Sequence, residues 1–250
     1  ERLPTLAGFD LAAWSEPADE TGGDTHDVVG MRSASLSDTI VLTEHDAGRA
    51  ILLLADATGH GIGPALSVTQ VRAMLRMGVR MSTDLSGIAS QINEQLCADL
   101  PTGRFITAWL GEVNGDDGTL SALSAGQAPI LRYEAATDTV DVLTADSQPL
   151  GMFDHIPVPP PKRWVMNAGD IFAVISDGIF EAKGPDGEDF GTDRTVAVIR
   201  EKRAAGSSEI LDAIREAVEV YTEGAPADDD RTMIVIKRVD GDSGSGETGS

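Results

Sequence analysis

Cysteine is almost missing from this sequence: Cys97 is the single one among 250 residues. An intrachain disulfide is therefore impossible, and zinc sites built from several cysteines are excluded. A reducing, cytoplasmic compartment suits such a chain. Basic residues are also scarce, with 19 Lys and Arg against 41 Asp and Glu and a formal net charge of -22. Sequence-independent binding to nucleic acid or to an anionic membrane needs clustered cations, so neither partner is expected. Cations are the partners that such a surface attracts. No apolar run approaches the length of a membrane span, no signal-peptide pattern opens the chain, and no internal repeat is visible. The first residue is Glu1 rather than Met, which leads us to expect an excised domain with upstream partner domains.

What is present is ordinary globular material. Hydrophobic residues make up 41% and charged residues 24%, enough apolar side chain for a core and too much for wholesale disorder. One domain is expected over 1–239, followed over 240–250 by a disordered acidic Gly/Ser tail. Val28-Val29, Ile40 to Leu42 and Ile51 to Ala55 read as strands, the last without alternation and so buried on both faces. A turn with Gly59, Gly61 and Gly63 leads to Pro64, which suits the first turn of a helix. Val68, Val71, Leu75 and Val79 line one face of that helix. A second helix follows, capped by Thr83 or Asp84, with Leu85, Ile88, Ile92 and Leu96 on one face.

Four more strands are read at Ile106 to Val113, Leu120 to Ala125, Ile130 to Tyr133 and Val140 to Leu143. A buried strand from Ile171 to Ser176 ends at Asp177-Gly178. An amphipathic helix spans about Ser207 to Tyr221, and Ile234 to Ile236 form a closing strand. Strands come in consecutive runs with helices in pairs between them, unlike a doubly wound parallel sheet. That order predicts an α+β fold of mainly antiparallel sheets with helices packed on their outer faces.

Four aspartates stand out by context. Asp24 follows Gly22-Gly23 beside a strand, Asp56 ends an apolar strand, Asp177 ends another, and Asp229 precedes the final one. Strand ends are where a rigid sheet can gather distant carboxylates. Singly, each has a plainer explanation: a turn at Asp177-Gly178, a helix cap at Asp56, a solvated loop at 228–230, a bend at Gly22-Gly23. Together, two ionised carboxylates about 4 Å apart would repel by roughly 4 kcal/mol at an effective dielectric near 20. A proton or a cation must relieve that. Oxygen-only ligands select a hard ion such as Mg²⁺ or Mn²⁺, and two such ions could acidify a shared water and screen an anionic phosphate.

The ordered runs G-G-D-T-H-D at 22–27, D-A-T-G-H-G at 56–61, S-A-G-Q-A-P at 124–129, P-L-G at 149–151, G-D at 169–170, S-D-G-I-F-E-A at 176–182 and D-D-R-T at 229–232 carry a resemblance. The sequence resembles the metal-dependent serine/threonine protein phosphatases (the PPM, type 2C family), in the bacterial branch typified by SpoIIE and RsbU. The likeness runs from about Ala7 to Val239 and includes Phe190-Gly191.

This resemblance implies a four-layer α-β-β-α sandwich with two Mn²⁺ or Mg²⁺ ions at one end. It implies that Asp56 bridges both ions, that the Ala57 carbonyl binds one and that Asp177 and Asp229 bind the other. Asp24 would hold the centre directly or through water, with Asp27 and Asp230 in a second shell or on the surface. It implies no protein nucleophile: a metal-bound hydroxide attacks phosphorus of a phosphoserine or phosphothreonine. The expected partner is a phosphorylated signalling protein, by analogy an antagonist of an anti-sigma factor, with an upstream regulatory domain.

The sequence departs from the eukaryotic members in three places. Thr58 stands where they carry a histidine proposed as general acid. His60 lies further on, a candidate for proton transfer or for holding the turn by hydrogen bonding. Neither Arg32 nor Arg49 matches their phosphate-binding arginine. Gln127 replaces the His or Asn common in the bacterial branch. The helices at 64–81 and 84–98 are, in that branch, often regulatory; their apolar faces also read as plain core. The alternative function is a catalytically inactive phosphatase-like domain used for regulation or scaffolding. A nucleotide-binding reading fails, because Pro64 stands where a third glycine should and no P-loop occurs. No loop has the ligand spacing of a calcium-binding EF-hand. Cys97 on its helix reads as packing.

Overall fold

The computed structural model describes residues 3–33, 40–81 and 84–240. Ten of the eleven residues assigned to the acidic tail, 241–250, and the cap candidate Thr83 lie outside them. Two sheets are stacked. One has five strands: β1 (Phe9–Glu16), β7 (Ile130–Glu134), β8 (Thr139–Leu143), β10 (Ile171–Ile175) and β11 (Arg231–Arg238), in the order β1-β11-β10-β7-β8. The other has six: β2 (Asp24–Ser33), β3 (Ile40–Leu42), β4 (Arg49–Ala57), β5 (Ile106–Asn114), β6 (Thr119–Ala125) and β9 (Lys162–Val165), in the order β3-β2-β4-β5-β6-β9. Every pairing between these strands is antiparallel.

Helices α1 (Ile62–Arg80) and α2 (Leu85–Asp99) cover the six-stranded sheet; α4 (Gly191–Glu201) and α5 (Ser207–Tyr221) cover the other, with the four-residue α3 (Asp177–Phe180) after β10. The result is the α-β-β-α sandwich that the motif order implied.

Strand β4 shows why its sequence lacks alternation. Ala50, Leu52 and Leu54 join the cluster between the sheets, while Ile51, Leu53, Ala55 and Ala57 pack beneath α1 and α2. Both faces are dry, so both must be apolar. Strands β10 and β11 do the same for the other sheet, with Phe172, Val174, Ile234 and Ile236 inside and Ile171, Ile175, Met233 and Val235 beneath its helices. Each fully buried Leu or Ile adds about 1.5–3 kcal/mol, before chain entropy is subtracted.

The helices bury the faces their spacing foretold: Val68, Val71, Leu75 and Val79 in α1, and Leu85, Ile88, Ile92 and Leu96 in α2. Asp84 caps α2, its side chain accepting from the Gly87 N–H at 2.7 Å. Elements β1, β9, α3 and α4 were not legible. The polar helix α4 buries only Thr195 and Ile199, too short an apolar stripe to register. Strand β9 is a four-residue edge beside β6 that follows a proline run. No helix among the described residues is long and apolar enough to cross a membrane.

Asp27 corrects one expectation. It is neither beside the other aspartates nor at the surface. Period two puts it on the opposite face of β2 from Asp24, where it is 1% exposed beneath α1. Arg76 grips it in a fork, Nε to Oδ2 at 2.6 Å and Nη2 to Oδ1 at 2.8 Å, and Arg72 Nε lies 3.2 Å from Oδ2. This ion cluster fastens α1 to the sheet. Removing one side of a buried pair strands the other, at about 3–5 kcal/mol. Asp27→Ala should therefore lower the midpoint of denaturant unfolding by an amount in that range. Its Mn²⁺ affinity, read by titration calorimetry, should change far less than the 10–100-fold brought by losing a group that supports a metal ligand.

Candidate metal centre

Register brings the first two carboxylates together. Strands β2 and β4 pair with Asp24 directly opposite Asp56. Both share the inter-sheet face with Val28, Leu52 and Leu54, at the end of the apolar layer. The facing sheet supplies the rest: Asp177 opens α3 immediately after β10, and Asp229 and Asp230 immediately precede β11. The Asp177-Gly178 pair thus starts a helix rather than forming a turn. Gly178 is needed there, since a Cβ would lie 2.1 Å from the Asp230 carbonyl.

Ser176 and Thr232 lock these two segments together. The Ser176 N–H donates to the Thr232 carbonyl at 2.8 Å, the Thr232 N–H donates to Ser176 Oγ at 2.9 Å, and Ser176 Oγ donates to the Asp230 carbonyl at 3.2 Å. Asp230 spans the two sheets. Its carboxylate accepts from the Ala18 N–H at 2.7 Å and from the Asp24 N–H at 3.2 Å. It is buried and supports Asp24 from behind, whereas Asp229 accepts from the Asp230 N–H at 2.8 Å.

Crowding these acids together shifts their titration. Burial, then the charge of Asp56, pushes the Asp24 carboxyl up to about 8, with the hydroxyls of Thr232 and Ser176 partly opposing. Burial, then the charges of Asp177, Asp229 and Asp230, pushes Asp56 up to about 7, with hydrogen bonding to Asp24 opposing. Asp177 is raised by burial and by Asp229. The site is therefore unsatisfied as it stands, and Asp24 Oδ2 is buried with no hydrogen-bond partner.

An orphaned acceptor among mutually repelling carboxylates is what hard cations relieve, so the donor set fits Mg²⁺ or Mn²⁺. Among the described residues no three His, Cys, Asp or Glu side chains close into a finished cage; the acids share a field without forming a complete coordination shell.

The Ala57 carbonyl lies against Gly23, where a Cβ would approach it to 2.9 Å, and the Ala57 N–H donates to the Gly23 carbonyl at 3.0 Å. His60 is exposed on the turn after β4. That turn is held by Arg104, which donates to the Thr58 carbonyl and occupies the space a Cβ at Gly59 would need. Arg104 and the Ser176–Thr232 lock went unread in the sequence, although S-D-G and D-D-R-T contain two of the three residues.

Gln127 has a visible task. It is 4% exposed, its Nε2 donates to the Ile175 carbonyl at 3.0 Å, and its Oε1 accepts from Thr107 Oγ1 at 2.9 Å. Thr107 pairs with Asp56 across β4 and β5, and Ile175 ends the strand before Asp177, so one side chain ties the sheets beside the acids. Gln127→Ala should cost about 1–3 kcal/mol in denaturant unfolding by orphaning the Ile175 carbonyl. Gln127→Glu should be worse, because it offers that carbonyl no donor.

Residues 46–239 match the family model described as Stage II sporulation protein E (SpoIIE). The chain belongs to the SpoIIE family. The SpoIIE-family chain is 23% identical to Protein IcfG of Synechocystis sp., over 94% of this chain and 39% of that protein. It thus spans about two fifths of that relative's length.

Among solved structures, it is similar to the RsbU and RsbW domains of a Mycobacterium tuberculosis protein (TM-score 0.74, 22% identity, 96% of this chain and 62% of that one). It is also similar to the SiaA-PP2C domain of Pseudomonas aeruginosa (TM-score 0.73, 20% identity, 92% and 86%). The PP2C phosphatase domain of SpoIIE from Bacillus subtilis is comparable (TM-score 0.73, 19% identity, 93% and 64%). At these identities the structural likeness shows the fold: a PP2C-like sandwich of the SpoIIE/RsbU-like branch.

Proposed function

We propose that this domain is a Mg²⁺- or Mn²⁺-dependent phosphatase that hydrolyses phosphoserine or phosphothreonine on a bacterial signalling protein. The observation that carries the reading is the electrostatic state of the acids: Asp24 and Asp56 titrate near 8 and 7 with Asp24 Oδ2 orphaned. Asp56, Asp177, Asp229 and the Ala57 carbonyl are the proposed ligands, with Asp24 joining directly or through water. Bound ions would acidify a water for attack on phosphorus and offset charge on the phosphoryl oxygens.

The chain's own part is positional. Strand register sets Asp24 against Asp56, the Ser176–Thr232 lock sets Asp177 against Asp229, and Gln127 holds the two pairs at a fixed separation. Asp230 keeps the Asp24 backbone in place. His60, exposed on the adjoining turn, is the candidate for protonating the leaving seryl oxygen.

A catalytically silent regulatory domain is the second reading, favoured by the lack of a closed cage among the described residues. The complete set of aspartates weighs against it. Hydrolysis of p-nitrophenyl phosphate with Mn²⁺ decides: the phosphatase reading expects turnover abolished by chelator, and turnover that survives chelator, or is absent with either ion, sinks it.

The proposed partner is a phosphorylated antagonist of an anti-sigma factor, which a panel of phosphorylated partner proteins would test. The proposed regulation acts on α1, which begins close after Asp56 and is fastened by Asp27. Equal activity of this domain and of a longer natural chain under all conditions would remove it.

A further inference from the structure

Two buried side-chain polar atoms among the described residues lack a hydrogen-bond partner, Asp24 Oδ2 and Arg231 Nε. The first belongs to the metal centre. The second lies on the other side of the five-stranded sheet: Arg231 alternates with Thr232 and so shares the outer face of β11 with Met233 and Val235, beneath α5. A cavity of about 660 Å³ opens there between β1, α5 and the loop before β11, with Arg231 in its wall.

An arginine cannot shed its charge to escape burial, so a donor left without an acceptor is costly. The neighbouring Arg215 is already engaged, with Asp212 at 3.3 Å and the Trp14 ring 4.3 Å from its Cζ. Glu16 faces Arg231 across the β1–β11 ladder, yet the two form no ion pair among the described contacts. The guanidinium is therefore open toward the cavity, whose floor includes Trp14, Ile179 and Met233.

We propose that this cavity binds a small organic oxyanion, a carboxylate or phosphate-type group on an aromatic or apolar body. The oxyanion bonds Arg231 and the body packs against Trp14 and Ile179. Volumes of roughly 300–1,000 Å³ suit such ligands. Glu16, Glu216 and Glu219 at the same cavity repel polyanions and so select for a single anionic group.

The site also communicates with the acids. Ile179 sits two residues after Asp177, residues 224–227 lead to Asp229, and Ala18, whose N–H donates to Asp230, lines the same wall. A ligand that fixes these segments changes the affinity for the divalent ion, and the ion changes the ligand's affinity by the same factor.

The probes are benzoate and phenylphosphonate, titrated into the EDTA-treated chain with tryptophan fluorescence as the signal. Saturable binding of at least one is expected, at least about tenfold weaker in Arg231→Gln and partly recovered in Arg231→Lys. Which probe binds tells carboxylate from phosphate-type recognition. Trp14→Phe should remove the fluorescence change while calorimetry still detects binding, and circular dichroism verifies that each variant is folded. Repeating the Mn²⁺ titration with the probe present should shift the ion's affinity.

Two results would overturn the proposal: no saturable response to either probe up to about 10 mM, weaker than fragment-level affinity, or equal affinity in Arg231→Gln. Energetic coupling between Arg231 and Glu16 in thermal unfolding, with no probe bound, would mean that the two simply pair with each other. The binding arm needs no catalysis, so its failure is distinguishable from failure of the phosphatase reading.

Discussion

Asp56→Asn is expected to reduce Mn²⁺-dependent hydrolysis of p-nitrophenyl phosphate by at least about 100-fold, and Asp177→Asn by a similar factor. The same Asp56 variant should make the ion-free protein more stable. Asp56 faces Asp24 across the strands and feels Asp177, Asp229 and Asp230, so its carboxyl is forced up to about 7. A neutral amide of nearly the same shape removes that repulsion. Relief of at least about 1 kcal/mol would raise the melting temperature by roughly 2–4 °C in a domain of this size.

Loss of activity together with a gain in ion-free stability is a signature that a plain structural aspartate would not give. Steady-state kinetics and differential scanning fluorimetry in EDTA test both halves. Undiminished turnover in both variants would refute the proposed ligand set, and a fall in ion-free stability of Asp56→Asn would refute the repulsion.

The second large effect is a pH dependence that the divalent ion reverses. Asp24 and Asp56 titrate in the folded protein at about 8 and 7, against an ordinary value of 3.8. Between 3.8 and about 8 the folded state therefore holds protons that the unfolded chain has released. Stability from these groups is complete below 3.8 and is lost as pH rises through 7 and 8. The ion-free melting temperature should fall from pH 5.5 to pH 8.5. Mn²⁺ must displace the same protons, so its affinity should rise with pH, by up to about tenfold per unit for each proton displaced. The Mn²⁺-induced rise in melting temperature should accordingly be larger at pH 8 than at pH 5.5. Equal rises at the two values would show that the ion binds away from these carboxylates.

Local patterns made much of this molecule readable. The apolar run at β4, the helical spacing of α1, α2 and α5, and the aspartates at strand ends are all written in neighbouring residues. The positions of β1, α4 and β9 were not, because a strand with weak alternation, a helix with two buried side chains and a four-residue edge each borrow their stability from contacts made elsewhere. Asp27 misled for the same reason. Nothing within three residues of Asp24 says that the two point to opposite faces of β2, toward carboxylates on one side and toward Arg72 and Arg76 on the other.

The sequence alone determined the layers, the family likeness and which acids stand at strand ends, because periodicity and short motifs are local properties of the chain. Tertiary structure decided which acids share a field, that Asp230 bridges the sheets, that Gln127 ties them together, and that Arg231 opens toward a cavity. Those relations join residues up to some 200 positions apart, such as Asp24 and Asp230. Electrostatic and hydrogen-bond energies depend on distance in space, and only the folded register of two sheets sets that distance.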